Sequence, residues 1–212
     1  MTAPLTLHVD ANFDSPWALC AFVALEEKKL AYELKPWSLS KKETFTEAFK
    51  GRTQRVPALQ RGDFWLQESV AIAEYLAESF PFPEHPRLFP ENLEQRATCR
   101  EVQHWLRTDL MPLRQERPTT TLWFEQRLVK LSDAAKESAK RLVDIASTLV
   151  KPGQTTLFDA WCIADVDLAL MLQRLHHNGD SIPEHLAAYA KANWERPSVK
   201  KWHALPRERR PV

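Results

Sequence analysis

Two short stretches carry side chains whose types and spacing suit chemistry at the start of a helix. Ser15 precedes Pro16 where an apolar run opens and continues to about Lys28, so it reads as an N-cap with proline in the first helical position. Its hydroxyl and the first unpaired N–H groups of that helix then face one small volume, which suits an anion, although plain capping accounts for the same pair. Glu68-Ser69 opens a second such run and places a carboxylate beside a hydroxyl and helix N–H donors. That set matches the head of a zwitterionic α-amino acid, ammonium to Glu68 and carboxylate to Ser69. Between the two lies Val56-Pro57. An X-Pro bond is cis in only about one case in twenty, but a cis bond here would turn a sheet edge so that Val56 offers its N–H and C=O to an extended peptide. The three features together are more specific than any one of them.

The elements that must position these residues follow from changes of hydrophobic period. Leu5, Leu7 and Val9 alternate as a strand, the helix from Ser15 follows, and Tyr32 to Trp37 reads as a second strand. Strand, helix, strand in so few residues is a right-handed βαβ unit with parallel strands. A short helix is expected near Glu43 to Lys50, then strands Val56 to Gln60 and Phe64 to Gln67 joined by a tight turn at Arg61-Gly62-Asp63. Ile72, Ala73, Leu76 and Phe80 share one face of a helix that starts at Ser69. The order β-α-β-α-β-β-α describes a small α+β domain over residues 1–81.

Residues 82–89 are expected to be a stiff, extended, proline-rich linker, and 90–212 an all-α domain. Asn92 to Glu116 is helical with a kink at Pro112, and Phe124, Leu128, Leu131, Ala135, Ala139, Leu142 and Leu149 mark a long amphipathic helix. From Ile163 to Leu175 the chain is apolar nearly all round, which predicts a central buried helix with Asp165 and Asp167 near its positive end. Shorter helices are expected near Pro183 to Asn193 and Pro197 to His203. The basic run Arg207 to Arg210 reads as a solvated charge run.

Composition narrows the function classes. With 29 basic and 28 acidic residues the net charge is +1, so no global field draws nucleic acid or an anionic membrane. Four glycines, Gly51, Gly62, Gly153 and Gly179, cannot write a GxGxxG or phosphate loop. The adjacent His176 and His177 point about 100° apart on a helix and complete no metal site. Three widely spaced cysteines, Cys20, Cys99 and Cys162, form no CxxC and fit a reducing, cytoplasmic setting. The first residues show no apolar core of signal-peptide length, and Trp17 to Leu25 is too short to span a membrane.

Over nearly its whole length the sequence resembles the cytosolic glutathione S-transferase family, and among bacterial members the YfcF type. The resemblance rests on Ser15-Pro16-Trp17, on Arg55-Val56-Pro57-Ala58-Leu59, on Gln67-Glu68-Ser69 with Ala71-Ile72-Ala73-Glu74-Tyr75-Leu76, on the proline linker, and on Cys162-Ile163-Ala164-Asp165. It implies a thioredoxin-like N-terminal domain, a helical C-terminal domain, and a homodimer with an electrophile pocket between the domains. Glutathione is the implied co-substrate, with no metal. By position, Ser15 would activate the glutathione thiol, Val56 beside cis Pro57 would pair with the cysteinyl backbone, and Glu68 and Ser69 would hold the γ-glutamyl group. Lys41 and Lys42 are candidates for the glycyl carboxylate. Trp17, Trp105, Arg107 and Asp109 are candidates for the second pocket.

The implied activity is thiolate attack on small hydrophobic electrophiles, with glutathione peroxidase activity toward organic hydroperoxides in detoxification and oxidative stress. Glutathione-dependent disulfide reduction, isomerisation and a nonenzymatic regulatory role are the alternatives. No cysteine stands at the Ser15 position, and Cys20 lies within the helix facing the core, so a mixed disulfide on the enzyme is not expected. The family's buried helix opens with Ser/Thr-x-x-Asp, whereas here Cys162 replaces the hydroxyl residue. Asp165 should still reach back to the Cys162 N–H.

Overall fold

The computed structural model describes residues 3–38, 47–49 and 52–208, and it divides into two compact units, Met1–Leu88 with Lys201–Val212, and Phe89–Lys200. In the first unit the sheet is built from β1 (Leu5–Asp10), β2 (Tyr32–Trp37), β3 (Ala58–Arg61) and β4 (Phe64–Gln67), in the order β2-β1-β3-β4. β1 and β2 are parallel, joined through α1 (Pro16–Glu27), while β1–β3 and β3–β4 are antiparallel. Helix α2 (Ser69–Ser79) follows β4 and buries Ile72, Ala73 and Leu76, as the spacing predicts. Of the expected helix at Glu43 to Lys50 only 47–49 are described, and Lys41 and Lys42 lie outside the described residues.

The interior strand β1 is buried on both faces, so its pattern is fuller than alternation predicts. Leu5, Leu7 and Val9 are buried, and so is His8 in the opposite phase. His8 stacks on Trp65 with centroids 4.6 Å apart, and Phe49 packs edge-on against it at 5.7 Å. Trp37 Nε1 donates to His8 Nδ1 at 2.8 Å, and the other ring nitrogen lies 3.1 Å from Gln60 Oε1. Because an indole N–H can only donate, Nδ1 must accept and Nε2 must carry the proton, which is the neutral imidazole. Burial lowers the His8 pKa below its ordinary value, with the Gln60 bond opposing the shift.

Several expectations change at the edges of the elements. The stretch after Pro81 is not extended: His85 N donates to Pro81 O at 3.0 Å, closing a turn. The third strand begins at Ala58 rather than at Val56. In the second unit α3 (Leu93–Thr108) and α4 (Met111–Glu116) replace one kinked helix, and the break falls before Pro112, which occupies the start of α4. The long amphipathic helix starts later than its apolar spacing suggests. A short α5 (Thr120–Trp123) ends at Phe124, and α6 runs Asp133–Leu149 from a Ser132 cap whose oxygen accepts from Ala135 N at 3.3 Å. Leu128, expected on that helix, is 72% exposed.

Helix α7 (Ile163–His176) is the buried centre of the second unit, flanked by α8 (Glu184–Trp194), with α9 (Pro197–His203) closing the series. Asp165 Oδ2 accepts from Cys162 N at 2.8 Å, so the half of the capping box expected to survive is present. Its Oδ1 accepts from Leu157 N and from the Tyr189 hydroxyl, each at 2.7 Å. Burial pushes the Asp165 pKa up, and these donors oppose the shift.

Candidate functional site

Strand register places the three candidate features along one end of the sheet. His8 pairs with Ala58, and Ala58 pairs with Gln67. Continued by one step, this register carries the end of β1 toward Val56-Pro57 and Pro57 toward Glu68. The loop from Asp10 to Ser15 leaves β1 at this same end.

Ser15 is the N-cap of α1, with extended backbone (φ −67°, ψ 118°), and its Oγ accepts from Ala18 N at 3.2 Å. One lone pair is thereby engaged with the helix while the hydroxyl proton stays available to an acceptor. The loop that brings Ser15 here is organised by the buried Asp10 carboxylate, whose oxygens accept from Asp14 N at 2.7 Å and Ser15 N at 3.1 Å. Phe13 within this loop has φ 54°, a conformation that non-glycine residues seldom adopt.

The Val56-Pro57 peptide bond is cis. Among the described residues nothing hydrogen-bonds to the backbone of half-buried Val56. Gln67 fixes the segment before it, accepting from Thr53 N at 2.8 Å and donating to Arg55 O at 3.0 Å. Glu68 has φ 72°, and its carbonyl accepts from Ile72 N at 2.9 Å, so the chain turns sharply from β4 into α2. A non-glycine residue held there costs about 1–3 kcal/mol, a strain that concentrates at functional positions. The Glu68 side chain is exposed and makes no capping bond to α2, whereas Ser69 is buried.

The candidates for a second pocket divide differently. Arg107 Nη2 is ion-paired to the buried Asp167 at 2.8 Å, and Gln103 Nε2 holds the other Asp167 oxygen at 2.7 Å. Arg107 therefore serves the core of the second unit. Asp109 is exposed and lies 3.6 Å from Arg141, while Trp17 and Trp105 are half-buried. Among the described residues no group of three or more His, Cys, Asp or Glu side chains is gathered as for a metal ion, and no helix is long and apolar enough to cross a membrane.

Comparison with known proteins bears directly on this arrangement. The family model described as glutathione S-transferase, N-terminal domain, matches residues 5–78, and that for the glutathione S-transferase C-terminal domain matches residues 92–208. The chain belongs to the glutathione S-transferase family.

A solved glutathione transferase homolog from Burkholderia, with bound glutathione, is 38% identical to this transferase-family chain. It has a TM-score of 0.77, with 94% of this chain and 95% of that one covered. Mouse glutathione S-transferase theta-3 is 36% identical over 95 residues, 43% of this chain and 39% of that protein. Mouse maleylacetoacetate isomerase is 35% identical over 95 residues, 43% of each. The matched part spans about two-fifths of the length of these curated relatives.

Two contributors to this family member's candidate site carry no distinctive sequence pattern. Gln67 ends a strand in sequence, and its amide anchors the segment that leads to Val56. Asp10, whose carboxylate holds the loop, is signalled in the sequence only as an acid directly after the apolar residues of a strand and shortly before a helix cap.

Proposed function

We propose that the protein is a glutathione transferase in which the Ser15 hydroxyl holds the bound glutathione sulfur as its thiolate. The observation that carries this reading is the row formed by the Ser15 loop, Val56-Pro57 and Glu68 across one end of the sheet. Two interstrand steps of about 4.8 Å put β4 about 10 Å from β1. The covalent path from the γ-glutamyl Cα to the cysteinyl sulfur extends to about 9 Å, so with the Glu68 side chain reaching toward the ammonium one glutathione joins Glu68 to Ser15. Glu68 takes the γ-glutamyl ammonium and Ser69 its carboxylate, while the unengaged N–H and C=O of Val56 pair with the cysteinyl residue. Lys42 is proposed for the glycyl carboxylate.

The energetics of the sulfur balance. Lowering a thiol from about pKa 8.5 to about 6.5 needs roughly 2.7 kcal/mol of preferential thiolate stabilisation. A hydrogen bond to a charged group supplies about 1.5–3 kcal/mol, and a helix N-terminus adds about 0.3–1. Since Ser15 Oγ already accepts from Ala18 N, the hydroxyl proton is what it presents to the sulfur. The thiol proton leaves to solvent. The thiolate then forms a C–S bond at an electrophilic carbon and expels the leaving group. Toward an organic hydroperoxide it attacks the distal oxygen, breaking the O–O bond to give the alcohol and a glutathione sulfenic acid, which a second glutathione converts to the disulfide and water.

Family membership supports homodimeric assembly and cytoplasmic residence as parts of the same reading. Isomerisation is the second reading, favoured by the similarity to maleylacetoacetate isomerase. Pro16-Trp17 after Ser15, in place of a Ser-Cys continuation, weighs against it. Calorimetric titration with glutathione, followed by initial rates with a chlorodinitrobenzene, cumene hydroperoxide and a cis-enone diacid, separates the readings. Absence of glutathione binding at millimolar concentration would overturn all of them.

A further inference from the structure

We infer that the segment Trp202–Glu208 is a positioning strap for the Ser15 loop, with Arg207 as its principal residue. The sequence predicts a solvated charge run from Arg207 to Arg210, whereas Arg207 is half-buried and built into the first unit. Its Nη2 donates to Phe13 O at 3.4 Å and to Trp202 O at 3.0 Å, and its Nη1 to His203 O and Leu205 O, both at 3.0 Å. One guanidinium thus ties the last turn of α9 to the residue of the loop whose backbone is left-handed. Trp202 is fully buried and packs edge-on against Phe13, with centroids 5.6 Å apart, and against Phe22 of α1 at 5.2 Å.

A second tie runs beside the first. Glu208 N donates to the Asn12 side-chain oxygen at 2.8 Å, and the Asn12 amide donates to Asp14 Oδ2 at 2.7 Å. Asn12 is buried, and the strap sets which way its amide faces. Asp14 and Ser15 are both held through their N–H groups by Asp10. Each residue from Asp10 to Ser15 except Ala11 is therefore linked directly or by one bridge to Asp10 or to the strap.

Charge gives the strap an effect beyond geometry. The titratable groups of the loop and strap are Asp10 and Asp14 on the loop and His203, Arg207 and the exposed Glu208 on the strap, with the Glu26–Lys201 ion pair joining α1 to the residue before the strap. Burial lowers the Arg207 pKa, and Asp14 and Asp10 oppose that shift, which marks the guanidinium as their counter-charge. Without it, two carboxylates stand beside the N-cap that must stabilise a thiolate, and both act against the sulfur anion. A residue that only held the fold together would leave the thiol pKa where it was.

The inference rests on Ser15 donating its hydroxyl proton in a hydrogen bond to the glutathione thiolate, so Ser15→Ala is measured alongside. Arg207→Ala, Arg207→Lys, Glu208→Pro (which removes the N–H given to Asn12) and Glu208→Ala (which keeps it) are compared with the unaltered protein. Rate against pH with a chlorodinitrobenzene, the ultraviolet absorbance of bound glutathione thiolate, and melting temperature are recorded. The expected result is a rise of about one unit in the thiol pKa for Arg207→Ala, hence about a tenfold loss at pH values well below it. Arg207→Lys should recover most of the shift, and the KM for glutathione should change little. Glu208→Pro should slow turnover relative to Glu208→Ala. An unmoved pH profile in Arg207→Ala, with Ser15→Ala shifted, would overturn the strap and leave the proposed function standing. Loss of melting temperature and rate together, with no pKa change, would overturn it as well. If Ser15→Ala itself leaves the profile unmoved, the function reading falls first and the strap with it.

Discussion

Replacing Ser15 by alanine removes two interactions of different kind, and their sizes can be estimated separately. The first is the cap bond from Ala18 N, 3.2 Å long, whose loss costs about 1 kcal/mol of folding stability. In a chain of this size that lowers the melting temperature by about 2–4 °C, leaving the variant folded. The second is the proposed hydrogen bond to the thiolate, about 1.5–3 kcal/mol, equivalent to about one to two pKa units. A bound thiol at about 6.5 would move to about 8, so that at pH 6.5 the ionised share falls from about one half to about 3%, roughly a fifteenfold loss of rate. Near pH 9 both proteins hold mostly thiolate, and that part of the loss should disappear. Initial rates across pH 6 to 9, normalised to bound glutathione, read the effect directly. A loss of the same size at every pH, or none, would refute the account of Ser15 as a hydrogen-bond donor to the sulfur.

Other perturbations test the surrounding parts. Glu68→Ala should raise the KM for glutathione by about tenfold with little change in kcat, as expected for about 1.4 kcal/mol of ammonium binding; an unchanged KM would place the γ-glutamyl group elsewhere. His8 is neutral in the fold with its pKa lowered, so the unfolded chain takes up a proton first as pH falls through about 6.5. Stability should therefore decline from pH 7.5 to 5, and the melting temperature of His8→Leu should fall less over that range. Asp165→Ala leaves Cys162 N, Leu157 N and the Tyr189 hydroxyl without their acceptor, a loss of about 3 kcal/mol or more readable by urea unfolding.

Much of the first unit was legible because local rules decide it. Ser-Pro opens α1, Gly62 with φ 61° closes the hairpin, and the apolar face from Ile72 to Leu76 orients α2, each within one or two turns of chain. Phe124 to Leu131 misled for the converse reason. Apolar spacing continues smoothly into α6, but the helix needs a cap, and the first residue able to supply one there is Ser132. Arg207 misled because a basic run is indistinguishable in sequence from a solvated one until the acids of another element are brought beside it.

The amino-acid sequence by itself determined the order of the elements in the first unit and where α1 and α2 begin, because caps, turns and hydrophobic period act over a few residues. Only the tertiary structure decided that Val56-Pro57 is cis, that register aligns it with the Ser15 loop and Glu68, and that residues 202–208 return to brace that loop. These depend on contacts between residues dozens to nearly two hundred positions apart, whose energies exist only once the sheet and its partners have assembled.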